Sequence, residues 1–232
     1  MPNKSTDINS KRSIVTTSDG SKTIKIEAWN EQYHSLHGAL QEARYVYIEA
    51  GFKTYLKRYP DQTSIGILEM GFGTGLNTLL TVLESMIKPI EINYHGIDAY
   101  PVKFKELEAL EYPNLIGCEP SFFNAIHKEN WGEEYKILPH FKLLKRREVF
   151  TKIKDLSFFD IIYFDAFGPR VQPEIWEASI FENMFQALRP NGILVTYCAK
   201  GSVRRHMQSV GFKVERLPGP PGKREMLRAS KI

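Results

Sequence analysis

Beyond residue 60 the chain reads as short apolar runs separated by stretches of helical rhythm. The runs are 65–70 (IGILEM), 90–98 (IEINYHGID), 141–147 (FKLLKRR) and 158–167 (FFDIIYFDAF). They are followed by 193–199 (ILVTYCA), 212–217 (FKVERL) and 224–230 (REMLRAS). Runs of this kind, bounded by Gly and Pro, predict buried strands. Helical spacing predicts helices over 76–87, 103–110, 173–188 and 202–210, with Pro89 closing the first and Pro173 in the first turn of the third. The stretch 112–140 holds Pro113, Pro120 and Pro139 and is expected to be an insertion with one short helix near 121–130. Strands alternating with helices argue for a parallel sheet covered on both faces. Only PGPPGK joins the last two runs, which is too short for a parallel crossover, so that pair must be antiparallel. The expected architecture is α/β and Rossmann-like over 61–232, with seven strands, mostly parallel, and an antiparallel last strand.

A different rhythm precedes this body. Two β-prone runs between Ile14 and Ile26 flank Ser18-Asp19-Gly20, the signature of a hairpin. Leu36, Leu40, Ala43, Tyr47 and Ala50 then recur at three- and four-residue steps, which predicts a helix. Hairpin and helix together form an N-terminal cap over 13–60. Residues 1–12 are polar and unperiodic and are expected to be a disordered tail.

With 232 residues and 42% hydrophobic composition, the chain has room for one core and a small extension. No apolar run approaches the ~20 residues of a membrane span, and the polar N-terminus lacks the apolar stretch of a signal peptide. Cys118 and Cys198 lie far apart with no CxxC spacing, so a disulfide framework is excluded and two reduced thiols in a cytoplasmic protein are expected. None of the histidines falls in HExxH or another metal-ligand spacing, so no metal is expected. Lys and Arg total 31 against 27 Asp and Glu. A balance that small leaves the choice of partner to where the charges sit.

The most informative stretch is Glu69-Met70-Gly71-Phe72-Gly73-Thr74-Gly75-Leu76-Asn77, at a strand-to-helix turn. Open α/β sheets bind ligands at such turns. Gly71, Gly73 and Gly75 let backbone approach a ligand without Cβ interference, or else they only make a tight turn. The spacing is GxGxG rather than the GxGxxG of dinucleotide sites, and no P-loop lysine follows. Glu69 before the glycines would repel a pyrophosphate and suits a cationic ligand. S-adenosylmethionine, which carries a sulfonium and an ammonium, matches. Asp98 ends the next strand, where a carboxylate can accept both ribose hydroxyls of an adenosine, or else caps a helix. The most apolar run feeds Asp165-Ala166-Phe167-Gly168-Pro169, which places Asp165 at the carboxyl end of the sheet, facing the same crevice. This loop resembles the polar residue, proline and aromatic that amine methyltransferases present there. A neutral amine needs to be oriented and relieved of a proton, which one carboxylate in reach can do. The alternative is that Asp165 only caps the loop, and Asp160 reads as structural.

Five pieces together resemble one family. They are YHS…GALQEARYVYIE (33–49), GFGTGLN (71–77), DAFGPRVQPEIW (165–176), RPNGILVTYCAKGSVRRHMQSVGF (189–212) and GPPGKREMLRA (219–229). The family is the methyltransferase domain of the bacterial tRNA 5-methylaminomethyl-2-thiouridine biosynthesis proteins. The resemblance implies a class I methyltransferase fold that uses S-adenosylmethionine to methylate the aminomethyl nitrogen at C5 of wobble uridine 34. It implies Asp165 as catalytic residue and Glu69, Gly71, Phe72, Gly73, Gly75, Asn77 and Asp98 around the cofactor. The bifunctional form of the family adds an FAD-dependent oxidoreductase domain. This chain ends where that domain would begin, so a stand-alone form is expected, with a separate enzyme supplying the amine. The third strand also departs from the family, which has a Gly-Asp pair near the adenine. Here Leu143–Val149 reads LLKRREV, and Glu148 is the candidate for that role.

Basic residues gather late in the chain, at 142–154 and again around Arg204, Arg205, Lys223 and Arg224. Such clusters either track a phosphate backbone or form solvated faces. Arg204, Arg205, Lys223 and Arg224 lie nearest the expected crevice, and Tyr33, Phe167 and Pro169 are candidates to meet an unstacked base of an anticodon loop. Trp176 reads as core. Of Tyr45 and Tyr47, on different faces of one helix, one is expected to pack and the other to line the pocket. Two competing functions are a small-molecule amine methyl- or aminopropyltransferase on the same fold and a non-catalytic RNA-binding module. The basic C-terminal half argues against a polyamine substrate, and the intact glycine loop with Asp165 argues against a non-catalytic module.

Overall fold

The chain enters the fold through a small antiparallel sheet of β1 (Arg12–Thr16), β2 (Lys22–Ile26) and β3 (Glu31–Gln32). The computed structural model describes residues 11–232, so most of the expected tail lies outside the described residues, and Arg12 already belongs to β1. Asp19 holds the first turn, accepting from the Ser21 amide at 2.9 Å and from the Thr17 hydroxyl at 2.8 Å. A long helix follows, assembled from Ala39–Ala43, a π-helical stretch Arg44–Lys53, and Thr54–Arg58. It begins later than the leucine spacing suggests: Leu36 lies before it and is half exposed. The helix lies on one face of the main sheet. Gly51 makes that approach close, since a Cβ there would sit 3.1 Å from Val195 and 3.2 Å from Tyr163.

The main sheet contains β4 (Ser64–Met70), β5 (Glu91–Ile97), β6 (Glu134–Leu138), β7 (Phe141–Arg146), β8 (Phe159–Phe164), β9 (Leu188–Thr196), β10 (Lys213–Pro218) and β11 (Glu225–Ser230). Their order is β10-β11-β9-β8-β4-β5-β7-β6. The central strands pair in parallel, and β10 with β11, β11 with β9, and β6 with β7 pair antiparallel. Every residue of β8 is buried, as is every residue of β4 after Ser64. Strands covered on both faces need apolar side chains at each position, and each Leu, Ile or Phe so buried contributes roughly 1.5–3 kcal/mol.

The expected seven strands are therefore eight. The extra one, β6, lies in the proline-bearing stretch read as an insertion. As an edge strand whose side chains are half-buried or exposed it carries no apolar run, which is why spacing did not reveal it. The short helix of that stretch is present as Pro120–Lys128. The helix expected over 173–188 is two pieces, a 3-10 turn Pro173–Trp176 and a helix Ala178–Ala187. Extended Glu177 separates them, and Trp176 is buried in the core. No helix among the described residues is long and apolar enough to cross a membrane.

Candidate active site

Parallel strands bring their carboxyl ends, and the loops that leave them, to one edge of the sheet. A cleft of about 340 Å³ opens there. Its walls come from the loops after β4, β5, β7 and β8, together with Tyr33 of the N-terminal cap and Gln172, Glu174 and Ile175. Gly71 has φ +91°, and a Cβ on it would sit 2.4 Å from the Asp165 carbonyl oxygen. Only glycine lets the loops after β4 and β8 touch in this way. Gly73, at φ +49°, passes under the Tyr33 ring. The N-terminal sheet is tied to this loop by His34, whose Nδ1 lies 3.0 Å from Thr23 Oγ1 and whose Nε2 lies 3.3 Å from Thr74 Oγ1. Burial holds the His34 pKa down at about 4, so the tie is neutral at physiological pH.

Asp98 and Asp165 both line the cleft. Asp98 accepts from the Gly73 amide at 3.0 Å and the Tyr100 amide at 2.8 Å, one bond on each oxygen. Each oxygen keeps a further lone pair for a ligand hydroxyl. Burial raises the Asp98 pKa, and the two amides hold the rise back. Asp165 Oδ2 accepts from Asn77 Nδ2 at 2.8 Å. Burial pushes its pKa up to about 7; Glu42 adds to the rise, while Tyr47, Asn77 and Lys223 oppose it. A carboxylate poised near neutrality, at the wall of a cleft, suits proton transfer at physiological pH.

Several expected cofactor residues stand elsewhere. Glu69 is 1% exposed and lies beneath the glycine loop, outside the cleft lining. It accepts from Asn77 Nδ2 at 2.9 Å, Thr78 Oγ1 at 3.0 Å and the Tyr94 hydroxyl at 2.8 Å. Burial nevertheless pushes its pKa up to about 8. Asn77 is buried between the two carboxylates. Phe72 points into the core, over Gly96 and edge-on to His127 and Trp131. Gly75 caps the helix Leu76–Ile87 against His127. Glu148 is spent on an ion pair with Arg146, which also binds Asp155 at 2.8 Å. The wall where an adenine contact was expected is instead Val149, Phe150 and Thr151. Those residues follow β7, so the strand order points to them once the register is known.

A second groove, of about 400 Å³ and more open, flanks the other side of the loop after β8. Its lining includes Pro169, Tyr197, Arg170, Lys200, Lys223 and Arg224. Lys223 lies 4.3 Å above the Tyr197 ring and pairs with Glu42, while Arg170 pairs with Glu31 at 2.7 Å. The structure thus brings Pro169, Lys223 and Arg224 together and adds Arg170, Lys200 and Tyr197, which sequence reasoning did not single out. Arg204 and Arg205 sit on the next helix, Gly201–Ser209, outside this lining. The basic run at 142–154 is not a continuous surface. Lys145 is buried, donating to the Glu129 carbonyl at 2.8 Å, and Arg146 is paired. Alternation along β7 turns these side chains to opposite faces. Phe167 lines the first cleft, with ring centroids 4.9 Å from Tyr33 and 5.3 Å from Trp29. Tyr47 is buried beside Asp165 and Tyr45 is exposed, so neither lines the cleft.

The two cavities differ in charge. Among the described residues, Asp98, Asp165 and Glu174 line the first, with no Lys or Arg, and four Lys or Arg and one Glu line the second. Among the described residues no group of three or more His, Cys, Asp or Glu is arranged to hold a metal ion.

Comparison with known proteins accords with this geometry. Residues 142–232 match the family model of S-adenosyl-L-methionine-dependent methyltransferases. The chain is 30% identical over 216 residues to the tRNA 5-methylaminomethyl-2-thiouridine biosynthesis bifunctional protein MnmC of Leptospira interrogans, covering 88% of this chain and 33% of that protein. It is 28% identical over 229 residues to the MnmC protein of Aromatoleum aromaticum, covering 93% of this chain and 34% of that one. The chain thus spans about a third of the length of these relatives. Among solved structures, MnmC2 from Aquifex aeolicus superposes with a TM-score of 0.74 at 23% identity, over 95% of this chain and 70% of that one. Spermidine synthase from Thermotoga maritima superposes with a TM-score of 0.57 at 13% identity, over 95% and 69%. Both likenesses are of fold.

Proposed function

The chain shares fold and sequence with the S-adenosyl-L-methionine-dependent methyltransferases, and from that premise we propose that it methylates the aminomethyl nitrogen at C5 of the wobble uridine of tRNA. The product is 5-methylaminomethyl-(2-thio)uridine. The observation that carries this reading is the pair of cavities around the loop after β8: an acidic cleft on the glycine loop and a cationic groove beside it, with Asp165 at the edge of the first. The name of the MnmC relatives gives the modified nucleoside, 5-methylaminomethyl-2-thiouridine in tRNA, and the charge pattern suits a step toward it.

The acidic cleft fits a cationic adenosyl cofactor. Gly71 and Gly73 open the floor, Asp98 offers acceptors for a ribose, and Val149, Phe150 and Thr151 form an apolar side wall. S-adenosylmethionine supplies an electrophilic methyl carbon when bound. The residues of the chain do the rest. Asp165 orients the neutral amine through its N–H and accepts the surplus proton as the nitrogen gains its new bond. Tyr33 and Phe167 offer ring faces and edges to a splayed-out base. Lys200, Lys223, Arg224 and Arg170 surround a groove suited to phosphates, and Tyr197 gives it an aromatic floor. The reaction consumes a primary amine, which an earlier step on the same nucleoside must expose.

A small-molecule amine is the competing substrate, and a cationic groove beside the site disfavours a polyamine. Nucleoside mass spectrometry of bulk tRNA from a strain lacking the protein decides between them. Accumulation of 5-aminomethyl uridine, with or without the 2-thio group, is the expected result. Unchanged tRNA nucleosides alongside a rise in a free amine would overturn the tRNA assignment.

A further inference from the structure

We propose that Asn77 is a positioning residue for methyl transfer, a single amide that clamps Asp165 and Glu69 and so fixes the proton acceptor against the helix that follows the glycine loop. The role given to Asp165 rests on the function proposed above; the clamp itself is a feature of the folded chain. An Asn amide nitrogen carries two hydrogens. Here one contacts Glu69 Oε1 at 2.9 Å and the other Asp165 Oδ2 at 2.8 Å, so both are consumed. The amide oxygen is buried with no partner. An orphaned carbonyl is unfavourable, and this orientation holds because two bonds to carboxyl oxygens outweigh it.

Topology explains why Asn77 can reach both acids. Glu69 pairs with Tyr163 and Met70 with Phe164 across β4 and β8, so the two strands end side by side. Asn77, in the first turn of the helix Leu76–Ile87, points back into the gap between them. Among the described residues no lysine or arginine bonds both acids. Lys223, which acts on Asp165, is committed to Glu42. Glu69 is faced by Tyr94 and Thr78, and Asp165 by Tyr47, Glu42, Tyr197 and Lys223. Asp165 also raises the cost of ionising Glu69. Removing the shared donor withdraws a bond to the charged form of Asp165, which moves its titration upward.

The test compares wild type with Asn77→Leu and the smaller Asn77→Ser, each checked for folding by thermal melt and for cofactor binding by calorimetry. With tRNA as acceptor, kcat is expected to fall about a hundredfold while KM for tRNA and Kd for S-adenosylmethionine stay within about threefold. The acid limb of kcat against pH is expected to move up by about half a unit or more. A kcat within about threefold of wild type, or a loss confined to KM, overturns the proposal. The carboxyl titration of Asp165, read by carbon NMR, needs no substrate, so it tests the clamp even if the tRNA reading fails. An upward shift in whichever variant folds supports the clamp; an unmoved titration refutes it.

Discussion

At the start of β8, Asp160 accepts from the Tyr55 hydroxyl at 3.1 Å and the Gly66 amide at 2.7 Å, and pairs with Arg189 at 2.9 Å. One residue beyond the end of the same strand, Asp165 has Asn77 and, among the described residues, no ion pair, and it faces a cleft. The two carboxylates are five residues apart and end up with opposite employment. A carboxylate with three partners, one of them a guanidinium, is satisfied, and burial keeps it from any ligand. One held by a neutral amide and a tyrosine is fixed in place but still costly to ionise, and that residual cost keeps its proton affinity near the operating pH. Chemistry goes to the carboxyl end because the glycine loop, the loop after β8 and the N-terminal cap converge there. At the amino end the neighbours are strand pairing and packing.

The largest effect expected from breaking this contrast is at Asp165. Asp165→Asn should lower kcat roughly 10³-fold with the fold and cofactor affinity retained. In the wild type, kcat should rise with pH through about 7 as Asp165 loses its proton, and that limb should vanish in the variant. Steady-state kinetics across pH 5.5–9 measure both. Asp160→Asn should do the reverse. It should cost about 1–3 kcal/mol of unfolding free energy by denaturant titration, because it disrupts the buried bonds from the Gly66 amide and the Tyr55 hydroxyl, the part-exposed Arg189 adding little, while kcat stays within about threefold. If Asp160→Asn impairs turnover as severely as Asp165→Asn, the division between the two ends of β8 is wrong.

Glu69 gives the smallest effect and sharpens the comparison. Its carboxyl titrates at about 8 in the folded chain against an ordinary 4.5, raised mainly by burial. The raised value means stability present below about 4.5 and lost as pH rises through about 8. Glu69→Gln, which is neutral throughout, should therefore gain on the wild type between pH 5 and pH 8.5 by on the order of 2 kcal/mol. Thermal melts at the two pH values read the gap directly. A constant gap would mean that Glu69 is already ionised at pH 5.

Much of this was visible in the residues. Strand runs, the glycine loop, Asp98 and Asp165 were placed from spacing, because backbone period and turn chemistry are local properties. Lys145 and Arg146 were misread as part of a basic surface, since a charge run shows sign but not the face of the strand each side chain takes. Glu148 and Glu69 stand outside the cleft lining for a related reason. Both are acids in the right neighbourhood, and only packing decides which acid faces ligand and which faces a partner. Arg170, Lys200 and Tyr197 carried no signal of their own, because they become a groove only when the loop after β8, the end of β9 and the turn before β11 meet.

What the sequence determined by itself was the alternation that builds a parallel sheet and the glycines that let two loops touch at its carboxyl edge. Both follow from which residues can adopt a given backbone conformation. What only the tertiary structure decided was the assignment of charge. Asp160, Glu148 and Lys223 were given partners, and Asp165 was left with an amide. The energy of a buried charge depends on what surrounds it in space, and neighbours in space are not neighbours in sequence.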